Sequence, residues 1–391
     1  MATAQIYRKT ATGVWRSAGR SVLGDSDDFV MDVTQPVWRG AGNIANNVGP
    51  ATTNFTTVST ITQSNGATFE NLKITSKVTI TASNQTFRNC WFAYTQTSGD
   101  STGGQVQTSF TSNYNTTFER CLFQPETYWD RYNGFFGAGG TFTRCVFTRI
   151  VDAFGLYSNS GTNQNVTIQG CWIGQLSWYA NDYTVDPAGN TYASRANGHS
   201  DGTGTHNDGH QWGGGANVSI HGNFYQLAKF NVKNPGNVVL DANWLTYSIA
   251  TGNGIDVLSD SGPKYPGQGQ ALLGQANVSP ITSLEFHHNW LWNGDTGCKL
   301  ASTGSAQGGT AITASIHDNI FGGRWRDYGY TYHYYPIRFD TGCIVNGFQP
   351  SGAGQSSDNH NNVWDSNVPS DMIISGSPVA GKPIVLRYDA V

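Results

Sequence analysis

One short pattern recurs at least eight times along this 391-residue chain: an apolar residue, two variable residues, Cys or Asn, one variable residue, and a second apolar residue. The copies are Phe87/Cys90/Phe92, Phe118/Cys121/Phe123, Phe142/Cys145/Phe147, Ile168/Cys171/Ile173, Ile220/Asn223/Tyr225, Leu240/Asn243/Leu245, Phe286/Asn289/Leu291 and Ile316/Asn319/Phe321, with a degraded copy at Asn359/Asn362/Trp364. A unit repeated in this way cannot bury its apolar face alone. It does so by stacking on its neighbours, as in a solenoid.

Alternate residues of a strand share a face. The first apolar residue and the Cys/Asn are an odd step apart, and the Cys/Asn and second apolar residue an even step. All three can face inward only if the chain bends just before the Cys/Asn. That place is held by Asn89, Arg120, Arg144, Gly170, Gly222, Ala242, His288 and Asp318. Gly, Asn, Asp and His tolerate positive φ best, and the two Arg and the Ala fit less well. Strand, short bend, strand is the corner of a parallel β-helix coil.

Intervals between successive Cys/Asn positions of 31, 24, 26, 20 and 30 residues suit one coil each, whereas 52, 46 and 43 read as two coils each. Stacked on one another, the Asn amides are expected to hydrogen-bond from coil to coil, with Cys serving as a small apolar filler. The four repeat cysteines lack paired C-x-x-C spacing, so no metal is expected from them. Cys298 and Cys343 lie off the pattern.

Only 12% of the residues are charged, while 48 are Gly and 13% are aromatic. This composition suits a turn-rich β-surface and not a disordered chain. A net charge of −4 without a basic run argues against nucleic-acid binding. No segment is apolar for long enough to insert in a membrane, and the N-terminal residues lack the apolar core of a secretory signal. The expectation is a protein made in the cytoplasm that acts outside it, as a virion component released by lysis would.

Residues 1–50 lack the repeat and read as an attachment or capping segment. Residues 51–365 read as the β-helix, and 366–391 as a cap or oligomer contact containing a terminal strand around Lys382–Tyr388. Long excursions are expected at Asn181–Gly204, Ser259–Pro280 and Arg324–Gly354.

Chemistry concentrates at His199-Ser200-Asp201-Gly202 and His206-Asn207-Asp208-Gly209-His210-Gln211. Asp201, His206 and Asp208 are the candidate acid/base residues, since His206, Asp208 and His210 share one face of a strand. Repeat position offers a competing structural reading. Aligning Asp208-Gly209-His210-Gln211-Trp212 with Asp152-Ala153-Phe154-Gly155-Leu156 matches His210 to an inward Phe and Trp212 to Leu156, with Gln211 outside. Gln211 and the tyrosine-rich stretch with Tyr328, Tyr330 and Tyr332 are the candidate glycan contacts, although the tyrosines equally suit a subunit interface. His221, His287, His317 and His360 follow the first apolar position and should line an outer face, as a metal- or glycan-contacting stripe or simply as a soluble surface.

Val166-Thr167-Ile168-Gln169-Gly170-Cys171-Trp172-Ile173 resembles a coil of the right-handed parallel β-helix proteins of the pectate-lyase-like superfamily. The segment His206–Gln211 is similar to the His-x-Asp-Gly-Ile-Gln stretch of β-helix proteins from actinobacteria and their phages, with His210 at the usual aliphatic position. With its unexported N-terminus, the chain resembles the minor tail proteins of actinobacteriophages. That resemblance covers residues 55–365. It implies an all-β, right-handed parallel β-helix, homotrimers in many members, other tail proteins and host-surface polysaccharide as partners, and a place in the virion tail. Some members only bind sugar and others depolymerise it. The polygalacturonase pattern is not met, because the later paired aspartates and Gly-His-Gly are absent, and the basic and calcium-binding residues of pectate lyases are not recognisable. No cofactor and no metal centre is expected.

Overall fold

The computed structural model describes residues 3–9, 15–22, 48–94 except 53, 103–126 except 113, 133–157 except 149, 163–178 except 175, 208–226, 230–231, 270–294 except 277, 297–301, 312–325, 336–356, 360–364 and 386–389. Among these there is no helix. The chain is a right-handed parallel β-helix built from three long sheets of nine, ten and ten strands. At roughly 4.8 Å per coil the stack rises about 40 Å.

One coil illustrates the path. Thr86–Arg88 lies in the first sheet, Trp91–Phe92 in the second and Gly104–Gln107 in the third. Each strand pairs in parallel with its counterpart one coil on, as when Phe87 aligns with Phe118, and Phe118 with Phe142. The bend before each Cys/Asn takes up positive φ, including both arginines: Asn89 (51°), Arg120 (53°), Arg144 (55°), Gly170 (60°), Gly222 (63°), His288 (53°) and Asp318 (54°). The corner therefore imposes left-handed backbone even on residues that favour it little, because three inward side chains depend on it.

Inside, side chains stack in columns. Phe87, Phe118 and Phe142 lie nearly parallel, with centroids 5.3 and 4.7 Å apart. Phe92, Phe123 and Phe147 do the same at 4.7 and 4.3 Å. Cys298 continues a third-sheet column between Leu272 and Ile337, and Cys343 aligns with Ile312 in the first sheet. Both are core residues, and all six cysteines are free and buried.

The Asn positions form a buried ladder. The Oδ1 of Asn223, Asn289, Asn319 and Asn362 accepts the backbone N–H of Cys171 (2.9 Å), Asn223 (3.0 Å), Asn289 (2.9 Å) and Asn319 (3.1 Å). Each Nδ2 donates to a main-chain carbonyl of a preceding coil or of its neighbour, as Asn289 does to Ile220 (2.9 Å). The cysteines are more than filler. Cys121 N–H and Cys145 N–H point at the Sγ of Cys145 (3.4 Å) and Cys171 (3.3 Å), and the thiols donate to Phe87 and Phe118 carbonyls. Sulfur makes the same pattern more weakly.

Three long intervals are corrected by the register. Gln169 aligns directly with His221, His221 with His287, and Ile320 with Val363. The 52-residue Cys171–Asn223 and 43-residue Asn319–Asn362 intervals are therefore one coil each, and the Asn223–Asn289 span, read as one coil of 20 residues followed by two over 46, is a single coil as well. The copy at Leu240/Asn243/Leu245 lies outside the described residues, and no rung is inserted between Asn223 and Asn289. Two expected excursions also shrink. Leu272–Gly274 is a rung of the third sheet, and Ile337–Asp340 and Cys343–Val345 are rungs of the third and first. The excursion expected at Asn181–Gly204 lies outside the described residues.

Near the ends, Thr3–Lys9 and Trp15–Val22 form an antiparallel pair, and Leu386–Asp389 joins the third sheet beside Ile337–Asp340. A second apolar column runs up the outward face of the second sheet: Leu122, Val146, Trp172, Phe224, Trp290, Ile320 and Val363, with Trp91 partly buried at one end. Val48 packs into this column, and Gly49 N–H donates to the Arg144 carbonyl at 2.7 Å.

Candidate functional site

The outward face of the third sheet carries the column Gln107, Phe136, Gly155, Gln211 and Leu273. Gly155 fixes its shape. A Cβ there would meet Asn133 Nδ2 and the Phe136 ring (2.5 Å), so the absence of a side chain lets that ring lie across the neighbouring rung. Phe110 packs edge-on to Phe136 at 5.2 Å, and Tyr157 closes the group at 5.5 Å from Phe136 and 6.1 Å from Phe110. All three rings are partly exposed, as is Gln211, which adjoins Gly155 in register. The result is a rigid aromatic patch with an amide at its edge. Phenyl and phenol faces suit the apolar faces of sugars, and the amide and phenol supply donors and acceptors at the rim.

Beneath this patch lies a polar column at the entrance to the third-sheet strands. Asp152 Oδ1 accepts the Asp208 N–H at 2.8 Å, and Asp208 Oδ1 accepts the Gln270 N–H at 3.1 Å. Asp208 is 3% exposed. Its carboxylate therefore serves the coil stack as the Asn amides do elsewhere. Burial first, and then the negative charges of Asp152 and Asp208, push the Tyr157 phenol above its ordinary value.

His210 aligns with Phe154, Gln211 with Gly155 and Trp212 with Leu156, the register read from the repeat. The His210 ring stacks on Phe154 at 4.8 Å and shares a 2.7 Å hydrogen bond with the Tyr225 hydroxyl. It is fully buried, and burial pushes the imidazole down to about 3, so it stays neutral. A group sealed in the coil interior has no route to a substrate.

The structure thus gives Asp208 and Gln211 adjacent but different settings, one in the stack and one on its surface. Asp201, His206, Tyr328, Tyr330 and Tyr332 lie outside the described residues. The aromatic patch was missed in the sequence. Its one visible signal is Phe136, the outward member of Asn133-Gly134-Phe135-Phe136-Gly137, whose neighbour Phe135 fills the core.

A second exposed face is polar throughout. Up the first sheet run Thr68, Thr86, Thr117, Thr141, Thr167, Ser219, Glu285 and Ser315 in register. Beside them run Glu70, Arg88, Glu119, Thr143, Gln169, His221, His287 and His317. Against protein-family models, curated proteins and solved structures, the chain has no match.

Proposed function

We propose that this protein is a non-catalytic, glycan-binding β-helix that serves as a minor tail component of a phage, meeting a host-surface polysaccharide. The observation that carries the binding reading is the outward aromatic patch of Phe110, Phe136 and Tyr157 beside Gln211. Coil stacking holds the patch rigid, so little ordering entropy opposes binding. The tail assignment, and homotrimeric assembly with other tail proteins, rest on the resemblance of the repeat and the His206–Gln211 segment to such proteins.

The test is binding to purified cell-surface polysaccharides, comparing wild type with Phe136→Ala and Tyr157→Ala. Truncating a central aromatic anchor should weaken binding about ten-fold or more. Binding that is unchanged in both variants would remove the patch from the account. Mass measurement in solution tests the trimer, and a clean monomer at micromolar concentration would count against it.

The second reading is a depolymerase, a glycoside hydrolase or polysaccharide lyase on the same scaffold. What favours it is the proximity of two carboxylates, Asp152 and Asp208, to Tyr157 at the edge of the patch. A glycosidase needs two carboxylates flanking the scissile bond. Against it stand the burial of both and their commitment to backbone N–H groups.

A further inference from the structure

We infer that the corner joining the first and second sheets at Ile281–Gly294 and Ile312–Trp325 is a binding site for a divalent transition metal ion, with His288, His317 and Asp318 as its protein ligands. The donor atoms of these three residues all lie within 4.8 Å of one another, and each side chain is at least partly exposed. Zinc holds its ligands at about 2.0–2.2 Å, which places them about 3.3 Å apart in a tetrahedron. Closure needs only side-chain rotation, and His288 is the most exposed of the three. Two imidazoles and one carboxylate favour zinc, cobalt, nickel or copper over calcium or magnesium, which prefer all-oxygen sites. Three protein ligands leave a fourth position for water or an external ligand.

The surroundings are arranged as metal-ligating histidines require, with partners that fix the rings. His287 Nδ1 and His288 Nδ1 share a hydrogen bond of 2.8 Å. The His287 ring is itself clamped between His221 and His317, 5.0 Å from each and nearly parallel to both. His317 Nδ1 bonds Asp318 Oδ2 at 2.7 Å. His288 and Asp318 occupy the left-handed corner (φ 53° and 54°), where two other coils use Gly170 and Gly222. The shared corner places the two ligating side chains at the same point of successive coils.

The experiment uses the full chain, free of any tag and stripped with chelator. Cobalt(II) is titrated alone and followed by its visible absorption, then displaced with zinc, and zinc binding is measured directly by calorimetry. The expected result is one saturable equivalent. His288→Asn and Asp318→Asn keep residue types that accept the corner conformation, so both variants should fold. Each should weaken binding by about ten-fold or more. His199→Gln removes a histidine that belongs neither to the stacked row nor to the ligand set and should bind as wild type does. Absence of saturable binding would overturn the site. So would asparagine variants that bind as tightly as wild type, or equal weakening by His199→Gln, which would reduce the binding to nonspecific imidazole affinity.

Discussion

Acid should destabilise this solenoid through a single buried imidazole. His210 is fully buried, and in the folded chain it gains a proton only near pH 3, whereas the ordinary value is 6.5. Between those values the unfolded chain binds a proton that the folded chain cannot. Unfolding then takes up a proton, so stability falls as pH falls from about 6.5 toward 3. The slope is about 1.4 kcal/mol per pH unit, so acidifying from neutrality to about pH 5 should cost about 2 kcal/mol through His210 alone. The perturbation that isolates this contribution is the double variant His210→Phe with Tyr225→Phe. It removes both ends of the 2.7 Å hydrogen bond together and sets a phenyl ring where His210 now stacks on Phe154. Replacing both partners with apolar groups of similar shape is close to neutral, so at pH above 7 the variant should lie within about 1 kcal/mol of wild type. Urea denaturation followed by tryptophan fluorescence at about pH 7.5 and pH 5 gives the comparison. The remaining eight of the nine histidines are common to both proteins and cancel in the difference. The variant should lose about 2 kcal/mol less than wild type on acidification. An equal loss in both proteins would refute the claim that His210 is held neutral by burial.

Three further outcomes follow from the packing. Asn289→Ala removes the acceptor of Asn223 N–H and the donor to the Ile220 carbonyl inside the stack, and should cost about 3 kcal/mol in the same denaturation assay. Phe118→Ala empties a fully buried site between Phe87 and Phe142, and should cost about 3–5 kcal/mol. Gly155→Ala brings a methyl against Asn133 and the Phe136 ring, and should cost about 1–3 kcal/mol while weakening glycan binding, as measured by denaturation and by polysaccharide titration.

The corner was legible in the sequence because three inward residues at mixed odd and even spacing permit only one geometry. Positive φ at Arg120 and Arg144 shows that this constraint outranks residue preference. The inward register of His210 was legible for the same reason, through its alignment with Phe154. Coil number was not. A 66-residue interval from Asn223 to Asn289 can hold extra coils or one long loop, and only the pairing of His221 with His287 decides. The outward apolar column was written in plain sight, since the residue after each Cys/Asn is Trp91, Leu122, Val146, Trp172, Phe224, Trp290, Ile320 or Val363. An alternating strand should place polar groups there, so an unbroken apolar row announces a covered face. The aromatic patch drew Phe110, Phe136 and Tyr157 from three successive coils, and no local pattern links them. The setting of Asp208 was half visible. Its alignment with Asp152 could be read, but the hydrogen bond to Gln270, 62 residues further along the chain, could not.

The most direct test is product release from host-surface polysaccharide that the protein binds, assayed with wild type, Phe136→Ala and Asp208→Asn. The account predicts retained, intact polysaccharide with wild type, loss of retention with Phe136→Ala, and no new reducing ends or unsaturated sugars with any of the three. New ends or unsaturated sugars made by wild type and abolished by Asp208→Asn would contradict it, and would make this β-helix a depolymerase.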